Sequence, residues 1–169
     1  MNLRILTPSD AAAFKRLRLR ALLENPEAFA NTPEVLEKQG LQTVAGSLEV
    51  SPESYTLGAF EGDDLIGMLF FHRPPPERSK TRHRAHIGGM YVAREHQGKG
   101  VGKALLIEAI HLARVLDGLE QIVLAVTVGN KRALALYESA GFRVYSTDER
   151  FLKVDGIYYA IAWLRLDLL

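Results

Sequence analysis

The sequence predicts a mixed α/β (α+β) fold, with one central, mostly antiparallel sheet of about seven strands flanked by about four helices. Residues 55–60 and 65–72 are apolar runs separated by Glu61-Gly62-Asp63-Asp64, which is typical of a β-hairpin. Residues 101–116 repeat apolar side chains at helical spacing, and residues 121–127 are continuously apolar, as in a strand buried on both faces. Together with the strand predicted at 86–92, they form a strand–helix–strand unit, which supplies one parallel pair with a right-handed crossover.

The N-terminal part predicts one strand and two helices. Residues 2–6 favour a strand, and Thr7-Pro8-Ser9-Asp10 starts a helix in which Thr7 is the cap and Asp10 completes a capping box. That helix should end near Leu23, before Asn25-Pro26. Thr32-Pro33-Glu34 repeats the start signal and predicts a second, less regular helix that reaches the forties.

Residues 73–84 form a proline-containing loop in which five lysine and arginine side chains oppose one glutamate. One interpretation is a basic patch for an acidic acceptor or partner. The other is a solvated hairpin loop that its prolines stiffen. The sequence favours the second interpretation and leaves the first open.

The centre of the chain is a strand, a glycine-rich turn and a helix. Residues 86–92 are predicted as a strand whose interior Gly88-Gly89 indicates a bulge, which would force the strand away from its neighbour. Gly98, Gly100 and Gly102 follow, just before the helix at 101–116. Free N–H groups and the helix dipole at such a turn can hold a phosphate or pyrophosphate, and Lys99 and Lys103 add positive charge. An ordinary surface turn remains the alternative.

The C-terminal part predicts a short helix and the rest of the sheet. Asn130 begins a helix that runs through Ala140, and Gly141 ends it. Asp155-Gly156 is typical of a hairpin turn. The predicted strands are residues 142–146, 151–154 and 157–166.

Composition narrows the class of protein. The chain has 169 residues, an expected single domain over 1–169, and a net charge of +1, so charge alone favours neither nucleic acid nor an anionic membrane as partner. It contains no cysteine, which excludes a disulfide scaffold, zinc–thiolate sites and a cysteine nucleophile. We expect no signal peptide, no membrane span and a cytoplasmic location.

Three motifs in order resemble the GCN5-related N-acetyltransferase (GNAT) superfamily, in particular its small bacterial members, over essentially the whole chain. Gln97-Gly98-Lys99-Gly100-Val101-Gly102 is similar to the acetyl-CoA signature of that family at every fixed position. Residues 130–142 resemble its Asn-x-x-Ala-x-x-Leu-Tyr-x-x-x-Gly-Phe element, and residues 152–158 resemble its closing hairpin. The resemblance implies the acyl-CoA N-acyltransferase fold and acetyl-CoA as cosubstrate, without a metal.

The resemblance also assigns the groups that bind acetyl-CoA. Backbone amides of the glycine loop would hold the pyrophosphate, and the pantetheine arm would pair with the splayed strand. A strand N–H near Met90 would stabilise the developing oxyanion. The implied binding residues are Met90, Tyr91, Val92, Gln97, Gly98, Lys99, Gly100, Val101, Gly102, Lys103, Asn130 and Tyr137.

Two side chains are candidates for catalysis. By resemblance, Tyr137 protonates the departing CoA thiolate; its ring could also simply pack between helix and sheet. His86 stands where some protein-acetylating members carry a glutamate, and a neutral imidazole could accept an amine proton directly or through water. His86 could equally be a hydrogen-bonded core residue, with water as the base, and Glu61, Glu95 and His72 are weaker candidates.

The predicted function is transfer of an acetyl group to a primary amine by direct attack in a ternary complex. The sequence does not identify the acceptor. A small amine or an amino acid is favoured as acceptor over a protein N-terminus or lysine. The alternative is a catalytically idle acyl-CoA-binding regulatory module. A nucleotide-binding phosphate loop is disfavoured because the glycine turn lacks a Lys-Ser/Thr end. The apolar segment at 158–163 would line the acceptor site or bury against a second subunit, so a homodimer is also open.

Overall fold

The computed structural model describes residues 1–168 as one seven-stranded sheet with helices packed on it. The strand order is β1-β2-β3-β4-β5-β7-β6, and the predicted fold class is confirmed. The elements are β1 (Asn2–Ile5), α1 (Ala11–Glu24), α2 (Pro33–Glu37), α3 (Leu41–Gly46), β2 (Ser54–Glu61), β3 (Asp64–His72), β4 (Arg84–Val92), α4 (Val101–Arg114), β5 (Gln121–Thr127), α5 (Lys131–Ser139), β6 (Arg143–Val154) and β7 (Ile157–Asp167).

Every neighbouring pair of strands is antiparallel except β4 and β5, which are the parallel pair that the sequence predicts. α4 connects the two strands. The parallel pairing is short: it runs only from Arg84 opposite Gln121 to His86 opposite Val123. Beyond His86 the two strands share no recorded pair, so the sheet is open between them.

The N-terminal helix starts at the predicted capping box. The Thr7 backbone N–H donates to Asp10 Oδ2 over 2.8 Å, and a 3₁₀ turn over Pro8–Asp10 leads into α1. Arg4 donates to both carboxylate oxygens of Asp10 over 2.7 Å, which ties β1 to the start of α1.

The predicted second helix is two short helices, α2 and α3, separated by Lys38, Gln39 and an extended Gly40. Lys15 Nζ donates to the carbonyl oxygens of Glu37, over 3.1 Å, and of Gln39, over 2.5 Å. In a continuous helix, these two carbonyls would instead accept hydrogen bonds from backbone N–H groups of the same helix. Lys15 therefore binds carbonyls that are left free where α2 ends, just before the extended Gly40.

The separate strands predicted at 142–146 and 151–154 are one strand, β6, paired with β7 across an irregularity between Asp148 and Leu152. A β-bulge lets a strand absorb extra residues without ending. Asp155 and Gly156 both have positive φ angles, as the predicted hairpin turn requires.

Two apolar clusters lie on opposite faces of the sheet. One surrounds α4 and includes Tyr137 and Phe142; the other surrounds α1 and α3 and includes Phe14 and Leu48. No helix among residues 1–168 is long and apolar enough to cross a membrane. Within the same residues, His, Cys, Asp and Glu side chains form no group that could hold a metal ion.

Candidate active site

The open seam between β4 and β5 begins after His86, and a bulge in β4 follows it. Met68 pairs with Tyr91 and Phe70 with Gly88, so β4 carries an extra residue between those pairs. Gly89 has a φ of +59° and lies against Phe70, where an added Cβ would be 2.4 Å from the ring. Only glycine accommodates that backbone and that contact. The predicted bulge therefore exists, and it lies in the part of β4 that no longer pairs with β5.

The glycine loop lies at the N-terminus of α4, a helix of 14 residues. Gly98 and Gly100 have φ angles of +79° and +84°, and nothing lies within 4 Å of a Cβ built on Gly100. Within residues 1–168, no side chain caps this helix. Its first N–H groups are therefore free to bind an anion, and the helix dipole favours one.

Hydrogen bonds hold the glycine loop to its neighbours. Gln97 Nε2 donates to the Val92 carbonyl, and Arg132 Nη1 donates to Gln97 Oε1, each over 2.9 Å. Gln97 thus joins the end of β4 to the first turn of α5. Arg132 was not predicted as a site residue, although it lies within the second motif, at a position that the family pattern leaves variable.

These elements enclose a cleft of about 350 Å³. Every predicted acetyl-CoA residue except Lys99 lines it, and His86 does not. Sequence reasoning missed several further lining residues, of which Asn25, Ala28 and Phe29 come from the segment after α1. No local motif marks those three, because the fold of the chain after α1 brings them to the cleft. The lining residues that sequence reasoning missed are Asn25, Ala28, Phe29, His96, Arg132, Ala133 and Leu136.

Tyr137 is buried in this cleft, with 8% of its surface exposed, and packs edge-on against Phe142. Its hydroxyl donates to Met90 Sδ over 3.6 Å. A thioether is a weak acceptor, so a stronger acceptor at that position would capture the same proton. Burial raises the pKa of Tyr137 to about 12, and the hydroxyl therefore keeps its proton at neutral pH.

Asn130, which the sequence predicts at the start of a helix, caps α5 at the edge of the cleft. Its side-chain oxygen accepts from the Ala133 N–H over 3.1 Å, which caps α5, and the residue also lines the cleft. The cap fixes the first turn of the helix that carries Tyr137.

His86 lies outside the cleft, exposed on β4, with His72 opposite it on β3. Desolvation of the imidazole, together with Arg84 and His72, lowers the pKa of His86. The ring is therefore neutral at neutral pH, as a base must be. Its role stays a prediction.

A polar network supports β4 from behind. The Tyr91 hydroxyl donates to Glu24 over 2.6 Å, Arg20 donates to the same carboxylate over 2.8 Å, and Arg20 also binds Glu95 over 2.7 Å. Tyr91 therefore contributes backbone rather than its hydroxyl to the cleft. The bonds from Arg20 lower the pKa of Glu95 to about 2, which makes this carboxylate a poor base.

The basic loop is partly neutralised inside the protein. The Arg73 guanidinium is 7% exposed and donates to the carbonyls of Arg82 and Asp117 over 2.7 and 2.8 Å. Glu53 binds both Arg73 and Arg82. Two of the five cations thus have structural roles, and residues 76–81 form 3₁₀ turns interrupted by a kink at Arg78.

A splayed β4, a glycine loop at a helix N-terminus and a buried tyrosine in one cleft define the class of protein. The chain belongs to the acetyltransferase (GNAT) family, whose sequence model matches residues 18–142.

Curated relatives are acetyltransferases. Mycothiol acetyltransferase of Streptomyces scabiei is 36% identical over 133 residues, which are 75% of this chain and 40% of that protein. The chain therefore spans less than half of that relative. The N-alpha-acetyltransferase RimI of Mycobacterium tuberculosis is 34% identical over 110 residues, or 63% of each protein.

Solved structures share the fold. An acetyltransferase of the GNAT family from Streptococcus pneumoniae has a TM-score of 0.85 at 22% identity, covering 98% of both chains. The structure of yncA from Salmonella typhimurium, determined with its cofactor acetyl-CoA, has a TM-score of 0.81 at 22% identity and covers 100% of this chain and 94% of that one.

Proposed function

We propose that the protein is an N-acetyltransferase that moves an acetyl group from acetyl-CoA to a primary amine. The observation that carries the proposal is the shared cleft, in which the open edge of β4, the free N–H groups of the glycine loop and the Tyr137 hydroxyl face one space. Family membership and the acetyl-CoA held by yncA support the choice of donor.

The residues of the cleft fit acetyl-CoA. The loop at Gln97 to Gly102 offers backbone donors to a pyrophosphate, and the exposed Lys103 adds charge beside it. The β4 edge has no β5 partner beyond His86, so its backbone groups are available to the amides of a pantetheine arm. When bound, acetyl-CoA supplies the thioester carbonyl that the amine attacks.

Tyr137 provides the proton for the departing thiolate in this proposal. Its hydroxyl stays protonated and already contacts a sulfur, the Met90 thioether, inside the cleft. The chain has no cysteine, so it cannot carry the acetyl group as a cysteine thioester, and direct attack in a ternary complex is the simpler route. The amine proton goes to His86 or to water.

The acceptor we favour is a small amine or amino acid rather than a protein N-terminus or lysine. The names of the relatives point to no single acceptor, since one is a mycothiol acetyltransferase and another an N-alpha-acetyltransferase. We also propose a cytoplasmic location, as expected from the sequence.

An acetyl-CoA thiol-release assay over small amines, amino acids, polyamines and peptides tests the proposal. We expect turnover with at least one class, together with saturable acetyl-CoA binding. Binding without turnover on any amine would instead support the regulatory module, and absence of binding would contradict both.

We also propose a homodimer that covers the β6–β7 hairpin. Val144, Tyr145, Phe151, Ile157 and Tyr158 are each 45–59% exposed there, which is a large amount of apolar surface for one hairpin. Sedimentation equilibrium should detect a dimer that Tyr158→Glu dissociates. A monomer at every concentration would exclude it.

A further inference from the structure

Arg18 is a buried cation without an anion. It lies on α1, 8% exposed, and its Nη1 is fully buried with no hydrogen-bond partner among residues 1–168. No carboxylate in that part of the chain forms an ion pair with it. Burying a charged group whose N–H donor has no acceptor costs free energy, and proteins normally give such groups a hydrogen-bond or ion-pair partner.

Aromatic rings hold the guanidinium in place without using its donors. Its central carbon lies 4.5 Å from the centroid of the Phe29 ring and 5.0 Å from that of Phe70. Cation–π contacts offset part of the desolvation cost but leave the N–H groups unbonded. Burial lowers the pKa of Arg18 to about 10, so the side chain remains charged at neutral pH.

Arg18 also lines a second cleft, of about 310 Å³, between the helices at 11–46 and the ends of β2 and β3. Most of the polar groups around this cleft are uncharged, among them Asn31, Thr32 and Thr56, and Glu49 is its one carboxylate. The cleft therefore suits a small polar molecule with an anionic group at Arg18.

The second cleft adjoins the proposed active site through the two rings. Phe29 lines the acetyl-CoA cleft while its face contacts Arg18. Phe70 packs against Gly89, the bulge residue next to Met90. A molecule bound at Arg18 would thus be separated from the acetyl-CoA cleft by the Phe29 ring.

We propose that Arg18 binds the carboxylate of the acceptor, so that the substrate is an amine that also carries a carboxylate, such as an amino acid. This inference rests on the function proposed above. A guanidinium matches a carboxylate with two parallel hydrogen bonds. A carboxylate carries one negative charge and so balances the one positive charge of Arg18, whereas a phosphate dianion would leave excess negative charge.

Matched acceptors test the inference. Glycine, β-alanine and 4-aminobutyrate are compared with their amides in the thiol-release assay, which also finds the best spacing between amine and carboxylate. We expect the acids to have the higher kcat/KM. Arg18→Gln should raise KM for the preferred acid by roughly 10–100-fold, the loss expected for charged hydrogen bonds. KM for the amides and for acetyl-CoA should stay within about twofold of wild type.

Arg16→Gln is the matched control, because Arg16 is exposed on the same helix. It should leave the preference for acids intact. Arg18→Lys, which keeps the charge, should recover part of the preference and serves where Arg18→Gln fails to fold. Calorimetric titration of the acids into wild type and Arg18→Lys gives the same comparison without turnover.

The outcomes separate the two proposals. Absence of turnover with every amine contradicts the proposed function. Turnover that does not distinguish acids from amides, or an equal loss for both in Arg18→Gln, overturns the inference and leaves Arg18 as a packing residue.

Discussion

The Tyr137 side chain packs in the core through its ring and carries a hydroxyl that is placed at the cleft. Its ring fills the space between α5 and the sheet, and its hydroxyl is held toward the cleft by the weak bond to Met90. Removing the oxygen should therefore change chemistry more than packing.

We expect Tyr137→Phe to lower kcat by about 10²-fold or more, as for loss of a general acid. The acetyl-CoA dissociation constant should not change, and the free energy of unfolding should fall by less than about 1 kcal/mol because only a weak hydrogen bond is lost. The thiol-release assay measures kcat, calorimetry measures the acetyl-CoA dissociation constant, and urea denaturation measures the free energy of unfolding. Tyr145→Phe, at an exposed position on β6, is the control. A kcat within threefold of wild type would remove Tyr137 from the mechanism.

Gly100 is the residue whose backbone shapes the anion site. Its φ of +84° is left-handed, so Gly100→Ala should cost about 1–3 kcal/mol or force the loop to rearrange. Either result displaces the first N–H groups of α4. We expect KM for acetyl-CoA to rise about tenfold, with a smaller effect on kcat. Gly46→Ala, where an added Cβ meets nothing within 4 Å, should leave KM unchanged. An unchanged KM in Gly100→Ala would mean that the pyrophosphate binds elsewhere.

At the scale of elements, the decisive feature is where β4 leaves β5. Gly88-Gly89 predicted a bulge, and the bulge exists because Gly89 takes a left-handed backbone against the face of Phe70. The local sequence could indicate the bulge through its glycines. It could not indicate that β4 and β5 share only three recorded pairs, because that depends on α4 and on residues distant in sequence.

Gly89→Ala should destabilise the fold by at least about 2 kcal/mol, since backbone strain and overlap with the Phe70 ring add together. Gly88→Ala provides a control one residue away, because its Cβ would meet nothing within 4 Å. Denaturant midpoints for the two variants give the difference. Equal midpoints would show that the bulge tolerates a side chain, contrary to its geometry here.

α2 and α3 show the limit of prediction from local pattern. The capping signal at Thr32-Pro33 predicted the start of α2 correctly, but the prediction missed that this helix ends before Gly40, where Lys15 binds the free carbonyls. Two strands were predicted at 142–146 and 151–154, whereas pairing with β7 keeps β6 continuous.

For the whole molecule, the Arg4–Asp10 pair predicts a pH dependence of stability. The hydrogen bonds from Arg4 lower the pKa of Asp10 to about 2, below its unfolded value of about 4. The pair therefore stabilises the fold above about pH 4, and that contribution is lost as the pH falls toward 2. Because the Arg4 side chain is 42% exposed, solvent screening limits the contribution to about 0.5–1 kcal/mol.

Asp10→Asn should thus be less stable than wild type at pH 7 by about that amount, and the difference should vanish near pH 2. Urea denaturation at a series of pH values measures it. Asp63→Asn, at an exposed turn residue, should show no such convergence. A pH-independent difference for Asp10→Asn would mean that its effect arises from the helix cap alone.

The sequence by itself determined the fold class, the glycine loop before α4 and the position of Tyr137, because each depends on neighbours within a few residues or on a motif with fixed spacing. Only the tertiary structure decided which charges have partners. Arg73 and Arg82 find Glu53, so much of the apparent basic patch is internal, whereas Arg18 finds aromatic rings and no anion. Burial and charge pairing depend on residues far apart in the chain, so the local sequence pattern does not predict them.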